Sequence, residues 1–159
     1  MGITNRQAAR MTLPNIEPAY EVRAKRLKGN ELQVEIWQLP SPASPHIHVP
    51  QRVAGLAGRN LEINQVRILK KLKEAGIRLD VMPIDGLRAP IREEEALRIA
   101  LLFRVLAPMR SRPKMVDIAE GIEGMGREEA AYWLGMAVHR KNPRRVLNAL
   151  RVLLSASAR

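Results

Sequence analysis

The chain has 159 residues, which fits one domain, or one domain with a small appendage. It contains no cysteine, so disulfides, thiolate zinc sites and cysteine nucleophiles are excluded. Twenty-seven Lys and Arg against sixteen Asp and Glu leave a net charge of +11, which attracts polyanions whatever its origin.

Residues 1–18 read as a flexible basic arm carrying Arg6 and Arg10, with no apolar core of a secretory signal. No run approaches the ~20 apolar residues of a membrane span, so no membrane partner is expected and the cytoplasm is the expected location. Residues 19–39 read as a β-hairpin. Tyr20, Val22 and Ala24 alternate with charged residues, Lys28-Gly29-Asn30 supplies the turn, and Leu32, Val34 and Ile36 alternate on the return. Pro40, Pro42, Pro45 and Pro50 make residues 40–50 a stiff connector and the candidate boundary. Residues 19–50 are thus the hairpin unit, and residues 51–159 a helical domain of about five helices. The expected fold class is α+β.

Within that domain, Ile63, Val66, Leu69 and Leu72 predict a helix from Leu61 to Ala75, stopped by Gly76. Ile77 to Met82 could form a short strand beside the hairpin, and Pro83 to Ala89 a turn. The next helix is predicted from Pro90, a residue suited to a first helical position, to Ala107. Glu93, Glu94 and Glu95 fall in its first turns, where carboxylates complement the helix dipole. Its remaining face is apolar almost all round, which marks a central helix. Three shorter helices follow: Pro113 to Ile122, stopped by Gly121, Gly124 and Gly126; Arg127 to Arg140; and one from N-cap Asn142 and Pro143 to Leu154.

The positive charge is not spread evenly. Residues 127–159 hold seven basic and two acidic residues, +5 of the +11. His139, Arg140, Lys141, Arg144 and Arg145 crowd the turn between the last two helices. Arg144, Asn148 and Arg151 then stand at i, i+4 and i+7 on one face of the last helix. Arginine forks beside a helix N-terminus form an anion site, so these six residues (Arg140, Lys141, Arg144, Arg145, Asn148, Arg151) are the candidate phosphate contacts. Arg59, Arg67, Lys70, Lys71 and Lys73 form a weaker basic stripe on the earlier helix, diluted by Glu62 and Glu74, with Arg67, Lys70 and Lys71 as its candidate contacts.

Other chemistry is not signalled. Five aromatics in the whole chain, expected to be mostly buried, argue against base-stacking platforms. The Gly124-Met125-Gly126 turn invites a helix-turn-helix reading. The helix after it, however, offers Ala130, Ala131, Leu134, Ala137 and Val138, a packing surface rather than base-reading side chains. His46 and His48 face one side of an extended segment, but zinc needs three or four ligands, so no metal and no cofactor is expected. There is no nucleotide loop and no nucleophile elbow, so no catalytic residue is assigned.

The stretch Glu128-Glu129-Ala130-Ala131-Tyr132-Trp133-Leu134-Gly135-Met136, with His139-Arg140 and Pro143-Arg144-Arg145-Val146-Leu147-Asn148-Ala149-Leu150-Arg151, resembles the C-terminal part of an uncharacterised family of small prokaryotic proteins. The resemblance implies a place among helicase and methyltransferase genes of phage-defence clusters, and an accessory subunit near DNA. The expected function is therefore a non-catalytic accessory subunit of a larger complex. It would contact DNA or RNA backbone without sequence readout, alongside other protein subunits. The alternative is an interaction subunit whose basic face docks on an acidic partner protein.

Overall fold

A computed structural model describes residues 17–79, 81, 84–107 and 115–157. Most of the expected N-terminal arm, and the expected helix start at Pro113, lie outside the described residues.

The hairpin forms as its alternation dictates. Strand β1 (Ala19–Arg26) pairs antiparallel with β2 (Leu32–Leu39), from Ala19↔Leu39 to Arg26↔Leu32. Lys28–Asn30 makes one 3₁₀ turn, and Gly29 takes a φ of 82°, a left-handed conformation that favours glycine. Val22, Ala24, Val34 and Ile36 point to one side and are buried.

Two further strands complete the sheet, and both depart from the sequence expectation. Gln51–Ala57, expected to open the helical domain, is β3 and pairs antiparallel with β2. Leu87–Ile91, expected as a turn and a helix start, is β4 and pairs antiparallel with β1. The strand order is β3-β2-β1-β4. Pro90 therefore begins no helix. It lies opposite Glu21 in an edge strand, where its missing N–H costs no second ladder. Ile77 and Leu79 are buried outside the sheet rather than in a strand of their own. The proline connector thus joins two strands of one sheet. The buried core runs from Val22 and Ile36 on the strands through Phe103 to Leu150.

Six α-helices follow among the described residues. The helix expected as one piece over 61–75 is two, α1 (Gly58–Ile63) and α2 (Gln65–Glu74), interrupted at Asn64. The Asn64 amide donates to the Asn60 carbonyl at 2.7 Å, a local bond that competes with a continuous helix. Helix α3 (Glu93–Leu106) is the central element. Ala96, Leu97, Ile99 to Phe103, Val105 and Leu106 are all buried. It contacts β1, β2 and β3 on one side and α4 (Met115–Glu123), α5 (Arg127–His139) and α6 (Pro143–Ser157) on the other. Gly121, expected to stop a helix, lies inside α4. A β-carbon there would meet Leu154 of α6 at 2.8 Å, so glycine permits that close approach.

Arginines tie the layers together. Between β2 and β3 the register slips after Ile36↔Ala54 to Trp37↔Arg52, which leaves Val53 as the extra residue of a bulge. The Arg104 side chain of α3 donates to the Val53 carbonyl, Nε at 2.9 Å, and satisfies it. On the outer sheet face the buried Glu21 accepts from Arg23 at 2.5 Å and from Arg88 at 2.9 Å. Arg23 also lies 4.0 Å over the Trp37 ring. Glu35 accepts from Trp37 at 3.1 Å and Arg52 at 2.6 Å. Burial would raise its pKa, but these donors outweigh that and hold the carboxyl below its ordinary value.

Tyr20 gives the fold a pH dependence. Burial, and then the Glu93 charge, push its hydroxyl up to about 12, with Arg127 opposing. The folded state thus holds the phenol neutral, whereas the unfolded chain ionises it near the ordinary value of ~10. This contribution to stability is complete below pH ~10 and is lost as pH rises toward 12. Urea midpoints are expected to fall between pH 9.5 and 11.5 in the parent chain, and less steeply in Tyr20→Phe. Equal slopes in both would contradict the assignment.

Candidate nucleic-acid interface

The basic turn is built by two helices that pack on α3. Helix α5 buries Ala130, Leu134 and Ala137. Glu128 and Glu129 occupy its first turn and His139 its last. Arg140 is extended, with φ −82° and ψ 150°, and ends the helix. Its N–H donates to the Met136 carbonyl at 3.2 Å. Only Lys141 and Asn142 then separate Arg140 from α6. The Arg145 N–H donates to the Asn142 carbonyl at 3.2 Å and lies 3.4 Å from the Asn142 side-chain oxygen, the cap expected from the sequence. Leu147, Leu150 and Leu154 turn α6 inward.

That packing fixes where the charges point. Arg140, Lys141, Arg144 and Arg145 are all exposed. Among the described residues, none of the four pairs with a carboxylate. Arg140 Nε reaches only the Met136 sulfur, at 3.2 Å. Asn148 is exposed and Arg151 half-buried, and the Arg151 guanidinium donates to the Asn148 side-chain oxygen. These two are thus joined to each other on the flank expected from their spacing.

The second stripe differs. Arg67 pairs with Glu123 of α4 at 2.8 Å. Lys71 pairs with Glu74 at 3.1 Å and Glu123 at 3.7 Å. Two of its cations therefore tie α2 to α4, while Arg59, Lys70 and Lys73 are exposed with no carboxylate partner among the described residues. The partner lies more than fifty residues along the chain, so no local pattern in the sequence signals it. Arg98 and Arg127 are committed likewise, to Glu94 and to Glu93.

The turn also carries a groove of about 670 Å³. Met136 and Val146 supply its apolar lining, and His139, Arg140, Lys141, Asn142 and Arg145 its polar lining. Tyr132, one of the aromatics expected to be buried, is 59% exposed one turn before Met136. Its ring meets the half-buried Trp133 edge to face, centroids 5.5 Å apart at 84°. Neither the groove nor the exposed ring was anticipated from the sequence. The usable signal was the wheel of α5: Tyr132, Met136 and His139 at i, i+4 and i+7, opposite Ala130, Leu134 and Ala137.

No described helix is long and apolar enough to cross a membrane. No curated protein and no solved structure matches this chain. A family model described as a domain of unknown function, DUF7680, matches residues 20–156, from the second residue of β1 almost to the end of α6, and the chain belongs to that family.

Proposed function

We propose that the chain is a non-catalytic accessory subunit that holds a nucleic-acid backbone at the α5–α6 turn. One observation carries the reading. The turn gathers four exposed cations without carboxylate partners among the described residues, whereas Arg23, Arg52, Arg67, Arg88, Arg98 and Arg127 are spent on internal ion pairs. Unpaired guanidinium forks beside a helix N-terminus match phosphate geometry and need no prior bond broken. The contacts are to backbone, which orients a partner without reading its sequence. A cytoplasmic place in a prokaryotic phage-defence complex, implied by the resemblance of the C-terminal stretch, agrees with such a role.

A salt titration tests it. Fluorescence anisotropy of a labelled oligonucleotide is expected to give log K falling linearly with log salt. The slope should be roughly −2.8 to −3.6 for four phosphates, at ~0.7 to 0.9 per phosphate. No binding at ~50 mM salt, or binding indifferent to salt, would refute the reading.

A further inference from the structure

We infer that the α5–α6 groove takes an unpaired stretch of nucleic acid, and that Tyr132 stacks on one of its bases. This rests on the backbone-holding reading and adds the class of strand. Four exposed cations would suit any phosphate. The apolar lining beside them suits fewer partners. A duplex presents ridges of hydrated phosphate, and seating those on Met136 and Val146 would strip water from charge without replacing it. An unpaired nucleotide offers both chemistries. Its base can bury the apolar lining while its phosphates meet Arg140, Lys141 and Arg145.

The α5 stripe supplies the track. Tyr132, Met136 and His139 lie on one face, and seven residues at ~1.5 Å each span about 10 Å. That length suits a stretch of a few unpaired nucleotides. Tyr132 is the exposed ring of the stripe, and the edge-to-face contact with Trp133 restrains it, so little side-chain freedom is lost when a base stacks on it. Glu128 and Glu129 in the first turn of α5 repel phosphate, so they bound the track at one end and the cationic turn bounds it at the other. Charge complementarity and a π-face thus fall on one continuous strip.

The test uses the full chain with a labelled 20-nucleotide single strand, and the same sequence as a duplex, at ~50 mM salt. The single strand is expected to bind about tenfold more tightly. Tyr132→Ala should weaken single-strand binding about tenfold and leave duplex binding unchanged, the effect of one lost stacking contact. Tyr132→Phe keeps the π-face and should bind like the parent chain. Tyr132 is exposed, and circular dichroism of both variants checks that the fold is kept. Equal affinity for the two forms, or a Tyr132→Ala change that spares single-strand binding, overturns the inference. If that binding still falls with salt, the backbone reading survives. Failure of both nucleic acids to bind, or capture of a poly-glutamate peptide in their place, overturns the two together.

Discussion

Reversing two charges, Arg144→Glu with Arg145→Glu, is expected to lower nucleic-acid affinity by roughly a hundredfold to a thousandfold at ~50 mM salt. The two substitutions change the turn by four charge units. Each unit is worth about 1 kcal/mol at contact distance in water, less what salt screens. Both residues are exposed on the first turn of α6 and make no ion pair among the described residues, so the fold has little to lose. The log–log salt slope should shrink by about 1.4 to 1.8, as expected for two phosphates no longer neutralised. Losses should be alike across sequences, because backbone contacts carry no base information. Arg67→Ala is the matched control. It removes a cation as well, but one paired to Glu123, so a small loss of stability is expected with unchanged binding. Should Arg67→Ala weaken binding as much as the double reversal, the charge effect is general to the molecule. The turn would then have no special role.

How far the sequence foretold this arrangement depends on the range over which each signal acts. The β1–β2 hairpin was legible because Tyr20, Val22 and Ala24 alternate and Gly29 supplies the left-handed turn, all within twenty residues. The start of α6 was legible because the Asn142 cap and Pro143 are local devices. Strands β3 and β4 were not. They are short, Gly55 weakens the strand pattern of β3, and Pro90 inside β4 reads as a first helical position. The surroundings of Gly55 show only in three dimensions: a β-carbon there would meet the Arg52 guanidinium on its way to Glu35. Pro90 is tolerated because β4 lies at an edge, a fact of sheet order and not of sequence. The site divides the same way. Charges crowded in Arg140 to Arg145 were visible at once, whereas the commitment of Arg67 and Lys71 to Glu123 needed the fold to bring Glu123 of α4 within reach of α2.

Phe103→Ala is expected to destabilise the chain by about 3 to 5 kcal/mol, the usual cost of emptying a large buried aromatic site. Phe103 is fully buried in α3, the helix that touches both the sheet and α4 to α6. Its neighbours on the same helix are buried as well, and the Arg104 side chain is fixed on the Val53 carbonyl. The backbone therefore has little freedom to close the cavity. A loss of that size is a large part of a typical stability of ~5 to 15 kcal/mol. For a chain of this length it lowers the melting temperature by roughly 6 to 20 °C. Phe103→Leu leaves a smaller void and should cost less than half as much. Thermal unfolding followed by circular dichroism at 222 nm checks both. The consequence reaches the binding turn, because α5 rests on α3 and α6 on α5. As the temperature rises, oligonucleotide binding by Phe103→Ala is expected to disappear over the same interval as its helix signal, since α5, which leads into the turn, rests on α3. Binding that persisted well beyond the loss of helix signal would mean that the hairpin forms without the central helix, and would refute this account of what positions the cations.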